Sequence, residues 1–333
     1  MSNPVFHVGI IGCGTIAPMH ANALASNEQT IFAACADVNF ERATTFAAQY
    51  GCKAYASAEE MLESEALDAV HICTTHATHF PLIQLAAQKG LAVFTEKPPT
   101  TNRADFAQLL ALAEAHPIGV CFQNRYNDSV LAVKKRLVAG EFGKLQGARG
   151  FVTWHRDADY YAAAPWRGTW QEAAGGSLIN QSIHTLDLMV EFLGKPDKVT
   201  SQMAQLHLSE PVEVEDSLHA LLRYDDGKRG VFYATNGYFT DERVLLELAC
   251  EHAILRIEQE LVTIRWCEEA KPSEVLSFAR GNGGGKSYWG SSHALCIADF
   301  YAARAEGRPF QNEPSKVAAV METMFAIYEQ NTK

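Results

Sequence analysis

The residues that decide the fold are Phe6-His-Val-Gly-Ile-Ile11-Gly12-Cys-Gly14-Thr15-Ile16-Ala17, followed by Ile31-Phe-Ala-Ala-Cys-Ala-Asp37. An apolar run of strand length, a glycine turn and a helix-period segment from Met19 to Ala25 read as strand, turn and helix. Gly12 permits the tight turn, Gly14 lets an anion approach the backbone, and small Ala17 allows close helix–strand packing. The helix N-terminus then offers N–H groups and a partial positive charge to a diphosphate. Asp37 ends the second apolar run 20 residues beyond Ala17, where a carboxylate can accept the hydroxyls of an adenosine ribose. A 2′-phosphate there would meet like charge. The pattern predicts a dinucleotide site at Gly12, Gly14, Thr15, Ile16 and Asp37, with NAD preferred over NADP.

Working outward, the same grammar repeats. A helix is expected from Phe40 to Tyr50, stopped by Gly51, and Ser57-Ala-Glu-Glu60 has the form of a capping box before a short helix. Ala69–Cys73, Leu91–Thr95 and Ile118–Gln123 read as strands, with helices from about Pro81 to Lys89 and Asp105 to Ala115. Strands alternating with helices predict an α/β, doubly wound parallel sheet, a Rossmann domain over residues 1–123. After Asn124 the pattern changes. A helix over Val130–Ala139 leads into an aromatic-rich stretch, Phe151–Trp170, and a helix from about Leu178 to Leu193. From Val199 to Trp266 strand-like runs follow one another, with Asp226-Gly227 as a turn between two of them. Helices over His293–Ala305 and Ser315–Glu329 close the chain. Residues 124–333 are therefore expected to form an α+β domain with a large, mostly antiparallel open sheet.

Bulk properties narrow the partners. Of 333 residues, 28 are Lys or Arg and 39 Asp or Glu, a net charge of −11 with no basic block, which argues against a nucleic-acid partner. No stretch approaches the ~20 apolar residues a membrane helix requires, and no signal core precedes Phe6, so a cytoplasmic protein without a membrane partner is expected. The eight cysteines are scattered without a C-x-x-C pair, so they read as small buried hydrophobes, and no metal is expected. Gly285-Lys286-Ser287 mimics the end of a P-loop, but Arg280 stands where that motif needs glycine. The glycine-rich run Gly281–Gly285 reads as a flexible loop.

Two segments carry candidate chemistry. Glu96-Lys97-Pro98-Pro99 puts a lysine at the end of the fifth expected strand, the edge where ligands of open α/β sheets bind. A partly desolvated lysine with a lowered pKa can remove a hydroxyl proton. In Gly175-Gly176-Ser-Leu-Ile-Asn180-Gln-Ser-Ile-His184-Thr-Leu-Asp187, residues 180 and 184 share a helix face and Asp187 lies three beyond. Histidine titrates near neutrality and can shuttle a proton. A surface lysine and a core histidine are the ordinary readings of such residues when each stands alone.

Taken in order, Gly12-x-Gly14-x-x-Ala17, Asp37, Glu96-Lys97-Pro98 and the Gly175-Gly176 segment ending in His184-x-x-Asp187 resemble the Gfo/Idh/MocA family of oxidoreductases. The resemblance runs on through Val214-Glu215-Asp216 and the closing helices. It implies a Rossmann domain joined to an α+β domain whose open sheet builds homodimers or homotetramers. It implies that Lys97 touches both nicotinamide and substrate, that His184 is the proton acceptor, and that Thr74, His79 and Glu96 lie at the cofactor. Two positions depart from the family pattern. Asn180 stands where many members carry aspartate, and His76 where a Thr-x-Asn-x-x-His pattern supplies asparagine; His79 matches the final histidine. An amide orients a hydroxyl or an imidazole but supplies no charge.

For the substrate, Asn124-Arg125-Tyr126 at the expected domain junction is a candidate contact, with Tyr126 the side chain singled out. Trp154 and Arg156 open a segment of aromatics and arginines through Tyr160, Tyr161, Trp166, Arg167 and Trp170. Aromatic faces stack on sugars and guanidinium groups fix hydroxyls, although the same composition also suits sheet packing. The resulting expectation is an NAD(P)-dependent enzyme transferring hydride between nicotinamide and a CH–OH carbon of a sugar, sugar derivative or cyclic polyol. The competing readings are an NAD-recycling glycosidase of the same family and a catalytically silent sugar- or NAD-sensing regulator.

Overall fold

The computed structural model describes residues 4–278 and 292–331. The Gly281–Gly285 loop and the Gly285-Lys286-Ser287 segment lie outside the described residues. The chain divides into two compact units, Met1–Gln123 with Ser292–Val317, and Asn124–Ser291 with Ala318–Lys333.

The first unit is built on a parallel sheet in the order β3-β2-β1-β4-β5-β6. Its strands are β1 (Phe6–Ile11), β2 (Thr30–Ala36), β3 (Lys53–Tyr55), β4 (Ala69–Ile72), β5 (Ala92–Thr95) and β6 (Ile118–Val120). Reversal of strand order on either side of β1 is the switch point at which such sheets bind ligands. Strands β4, β5 and β6 are buried at every position, as expected where helices cover both faces. The connecting helices are α1 (Ala17–Ala25), α2 (Phe40–Tyr50), α3 (Ala58–Ser64), α4 (His76–Gln88) and α5 (Arg103–Ala113). Asn39, Ser57 and Asn102 cap α2, α3 and α5 through their side chains, and Gly51 ends α2 in the left-handed region. Helix α4 starts five residues before Pro81 and carries that proline inside it, so His76 and His79 lie on its first turn. Strand β3, three residues long and only partly covered, has no counterpart in the sequence pattern.

Helix α10 (His293–Glu306) completes this unit, so the second unit is not the continuous stretch 124–333. The reason is apolar: the Phe300 ring sits 5.3 Å from that of Phe94 on β5 and 5.4 Å from that of Phe310.

The second unit starts with a 3₁₀ turn (Gln123–Tyr126) and α6 (Asp128–Val138). Its eight-stranded sheet runs β14-β13-β12-β11-β7-β10-β9-β8. The strands are β7 (Leu145–Thr153), β8 (Lys198–Ala204), β9 (Ser217–Arg223), β10 (Arg229–Thr235), β11 (Leu245–Cys250), β12 (Ala253–Glu258), β13 (Leu261–Trp266) and β14 (Glu274–Ser277). Neighbours pair antiparallel except β7 and β10, which run parallel from Gly147↔Arg229 to Thr153↔Thr235. Alternating burial along β10 marks a sheet covered on one face, and Val231 and Tyr233 stand exposed on the other. Short helices α7 (Ala158–Ala162) and α8 (Trp170–Ala173) precede a π-helical turn, Ser177–Ser182, that continues into α9 (Ile183–Leu193). Helix α11 (Pro314–Asn331) closes the described chain.

Candidate functional site

At the carboxyl edge of the parallel sheet, the loop after β1 bends through Gly12 at φ +91°, where a Cβ would lie 2.8 Å from the backbone of Cys73. A Cβ on Gly14 would meet no atom of the chain, so packing does not explain that glycine. Thr15 is exposed and Ile16 half-buried. Helix α1 begins at the fully buried Ala17 with no side chain capping it; Ala17 N–H bonds to the Gly14 carbonyl at 3.2 Å, residue 18 is a proline, and Met19 N–H bonds to the Ile16 carbonyl at 3.0 Å. Asp37 lies at the end of β2. Its Oδ2 accepts the Cys13 N–H at 2.9 Å and lies 3.5 Å from Arg42 Nη1; its Oδ1 accepts from Asn39 N at 2.8 Å. The turn, the open space at Gly14 and this carboxylate fit a dinucleotide.

Lys97 follows β5, half-buried, its backbone N–H on Glu96 Oε2 at 3.3 Å. Burial lowers its pKa from the ordinary 10.5, against the opposing charge of Glu96. His79 ties this loop to its neighbour. Its Nδ1 lies 2.7 Å from the Pro98 carbonyl and its Nε2 3.2 Å from that of Thr74, whose hydroxyl accepts from Thr78 at 2.7 Å. His76 is buried with its ring 5.9 Å from that of His79.

The Glu96 carboxylate turns inward. His20 Nε2 lies 3.0 Å from Glu96 Oε1, His20 Nδ1 2.8 Å from His71 Nδ1, and His71 Nε2 2.9 Å from Tyr301 Oη. All four side chains are buried. Burial alone would raise the Glu96 pKa, but the His20 hydrogen bond and the charges of His20, His293 and Lys97 outweigh it and hold the group below the usual carboxylate range. Burial keeps His71 well below the usual histidine value. The four side chains thus form one hydrogen-bonded chain, Tyr301–His71–His20–Glu96. His20, Glu96 and Cys121 bring ligand-type atoms within 4.8 Å of one another. Both His20 nitrogens are already engaged and burial pushes the Cys121 thiol up, so this is a hydrogen-bonded network.

In the second unit, Asn180 lies in the π-helical turn and His184 on the first turn of α9, both half-buried. The expected α-helix is thus wider over its first six residues. Every N–H at its start has a partner. Gly176 N and Leu178 N donate to Glu215 Oε2 and Oε1 at 2.8 and 3.0 Å, Ser177 N to the Glu215 carbonyl at 3.0 Å, and Ile179 N to Tyr328 Oη at 3.2 Å. Tyr328 in turn donates to Glu215 Oε1 at 3.0 Å. A Cβ on Gly175 would overlap the Tyr328 hydroxyl and one on Gly176 the Glu215 carbonyl, which explains the glycine pair.

Three expected contacts are occupied otherwise. Arg125 forms a buried bidentate pair with Asp187, Nε to Oδ2 at 2.9 Å, and meets Glu191 at 3.2 Å, so neither Arg125 nor Asp187 is presented to a ligand. Trp154 Nε1 donates to the Glu242 carbonyl at 3.1 Å. The Arg156 guanidinium lies 4.9 Å from the Trp154 ring centre and 5.3 Å from that of Tyr160, and pairs with Asp241 at 2.7 Å. These residues stitch the end of β7 to the segment after β10, a packing role that suits their composition. Tyr126 is buried in the 3₁₀ turn.

Known proteins share this arrangement. A family model described as an oxidoreductase family with an NAD-binding Rossmann fold matches residues 6–123, and the GFO/IDH/MocA C-terminal domain matches 130–256. Inositol 2-dehydrogenase of Rhizobium meliloti is 30% identical over 246 residues, 71% of each chain. The chain belongs to the Gfo/Idh/MocA family of NAD-binding oxidoreductases. Mouse trans-1,2-dihydrobenzene-1,2-diol dehydrogenase is 30% identical over 236 residues, 67% of this chain and 66% of the mouse protein. The WlbA dehydrogenase of Bordetella pertussis, solved with NADH and UDP-GlcNAcA, superposes with a TM-score of 0.83 at 25% identity over 98% of this chain and 96% of that one.

Within this Gfo/Idh/MocA oxidoreductase, sequence reasoning missed His20, His71 and the pairing of Glu215 with Tyr328. The available signal was His71 itself, a polar residue in a strand buried at every position, which must find partners. The network yields a stability prediction. His20→Leu removes the donor of a buried carboxylate and should cost about 2–3 kcal/mol; an unchanged urea midpoint would show that Glu96 does not depend on it.

Proposed function

We propose that this oxidoreductase interconverts a CH–OH carbon of a sugar, sugar derivative or cyclic polyol with its carbonyl, using NAD. The observation that carries the reading is a half-buried lysine of lowered pKa on the strand edge that also carries the glycine turn and Asp37. Bound at that edge, NAD supplies the hydride acceptor. In the oxidation direction the substrate carbon gives up its hydrogen with the bonding pair, and the hydroxyl proton passes to a base. Lys97, as the neutral amine, and His184 are the proton-handling residues, and Asn180 orients a hydroxyl or the imidazole by hydrogen bonding. The likeness to inositol and diol dehydrogenases and to a sugar-nucleotide dehydrogenase supports the substrate class. Asn180 in place of aspartate favours sugars and nucleotide sugars over inositol.

A homodimer or homotetramer is supported by the sheet face that leaves Val231 and Tyr233 exposed. A reducing, cytoplasmic setting is supported by eight cysteines that are all free thiols, six of them buried. Among the described residues no helix is long and apolar enough to cross a membrane.

Following NADH absorbance across a panel of sugars, sugar nucleotides and polyols tests the reading. A steady rise supports it, cleavage without a rise assigns an NAD-recycling glycosidase, and neither leaves a sensor. Lys97→Met should leave NAD affinity intact while kcat falls at least ~10²-fold, the low end of general-base contributions. In the wild type, oxidation should rise with pH at a midpoint below 10.5, because only the neutral amine accepts a proton. That limb should vanish in the mutant, and near-normal turnover would remove Lys97 from the reaction. His184→Ala should lose a similar factor with a flattened pH profile; an unchanged profile would move the proton acceptor elsewhere.

NAD preference rests on Asp37. Asp37→Ser should raise relative use of NADP, since it removes the like charge and releases Arg42, now 3.5 Å from that carboxylate, for a 2′-phosphate. An unaltered ratio of kcat/KM values for the two cofactors would take the role away from Asp37.

A further inference from the structure

The segment that carries Asn180 and His184 is held by two residues distant in sequence. A helix start leaves its first N–H groups without intrahelical partners. Here four consecutive ones, from Gly176 to Ile179, are taken by Glu215 and Tyr328, and the first helical bond of the segment runs from Asn180 N to the Gly176 carbonyl at 3.0 Å. The turn is π-helical, and the buried Ser182 hydroxyl bonds back to the Ser177 carbonyl at 2.7 Å. The rotation of Asn180 and His184 about the helix axis therefore follows from where that first turn is pinned. Glu215, two residues before β9, is 4% exposed and Tyr328, on α11, 9%, so water does not substitute for either.

We propose that Glu215, seconded by Tyr328, is a positioning residue for the reaction: its carboxylate caps the Gly175–Gly176 turn and thereby sets the angular position of Asn180 and His184. The inference rests on the oxidoreductase reading above. The chemistry of the cap makes Glu215 hard to replace. A carboxyl group keeps an oxygen that can accept toward each N–H whether or not it carries a proton, whereas the amide of a glutamine would turn an NH₂ group, which cannot accept, against either Gly176 N–H or Leu178 N–H.

The titratable groups around Glu215 are Tyr328 from α11, Tyr161 from α7 and, beside it in the chain, Asp216. Burial pushes Glu215 up to about 7 from 4.5, against the hydrogen bonds from Leu178, Gly176 and Tyr328. The closed cap thus binds a proton more tightly than an opened, solvated one. Closure gains from this group fully below the solvated value and loses that contribution as pH rises through about 7. Loss of the Tyr328 hydrogen bond raises Glu215 further, so Tyr328→Phe moves that transition to higher pH.

Hydrogen exchange of the full-length protein, corrected for the intrinsic pH dependence, tests this at residues 176–179, alongside steady-state kinetics with whichever sugar the panel identifies. In the wild type, protection of these amides falls as pH is raised through neutrality. Glu215→Gln exchanges them at least ~10-fold faster at pH 6 with no pH transition left, and kcat drops at least ~10-fold while KM for NAD stays within about twofold. Tyr328→Phe, which keeps the carboxylate, exposes Ile179 most and shifts the transition upward. Wild-type exchange in Glu215→Gln, or exchange raised evenly across the unit, overturns the cap. Faster exchange with unchanged kcat keeps the cap but overturns its role in positioning. If no substrate turns over, the oxidoreductase reading fails, and the exchange arms still decide whether Glu215 holds the segment.

Discussion

A helix must find partners for its first N–H groups, and the functional edges of both units are organised by how that demand is met. Helix α1 meets it locally: Ala17 N–H bonds to the Gly14 carbonyl, Met19 N–H to the Ile16 carbonyl, and residue 18 is a proline with no N–H to satisfy. The π-helical start of the His184 segment is the opposite case, with four N–H groups satisfied by Glu215 and Tyr328. A start satisfied within its own turn needs no distant partner, whereas one satisfied from 39 and 149 residues away is tied to them.

The same accounting explains the polar interior of the first unit. Four buried titratable side chains would each be costly alone, but Tyr301, His71, His20 and Glu96 hydrogen-bond in one chain that ends in a carboxylate beside Lys97. Two electrostatic effects then meet at the lysine. Burial disfavours its ammonium form and Glu96 favours it. Without the carboxylate, burial would act on the amine unopposed. Without burial, the amine would remain protonated at any ordinary pH and could not accept a proton. His79, bridging the Pro98 and Thr74 carbonyls, keeps the loop where both effects act.

Local patterns made much of this legible. The glycine turn, Asp37, Lys97 at a strand end and the capping box at Ser57 all express chemistry between residues close in sequence, and they stand where the spacing put them. What escaped depends on distant partners. Glu215 and Tyr328 lie 113 residues apart, and nothing in either neighbourhood announces that they cap one helix. Arg125 was a candidate contact from its place at the expected domain junction, and its pairing with Asp187, 62 residues on, has no local signal. Trp154 and Arg156 illustrate a different limit. Aromatic and guanidinium groups suit a sugar surface and a packed sheet end equally well, and only their actual neighbours, Glu242, Asp241 and Tyr160, distinguish the two.

The substitution of asparagine at position 180 gains meaning from this charge arrangement. The nearest carboxylate on the same helix, Asp187, has its charge matched by Arg125 in a buried pair, and Asn180 adds none. Lys97, by contrast, has an ionised Glu96 adjoining it in the chain. The carboxylate charge of the His184 helix is thus matched within its own buried pair, while the one adjoining Lys97 stays ionised and favours the ammonium form against burial.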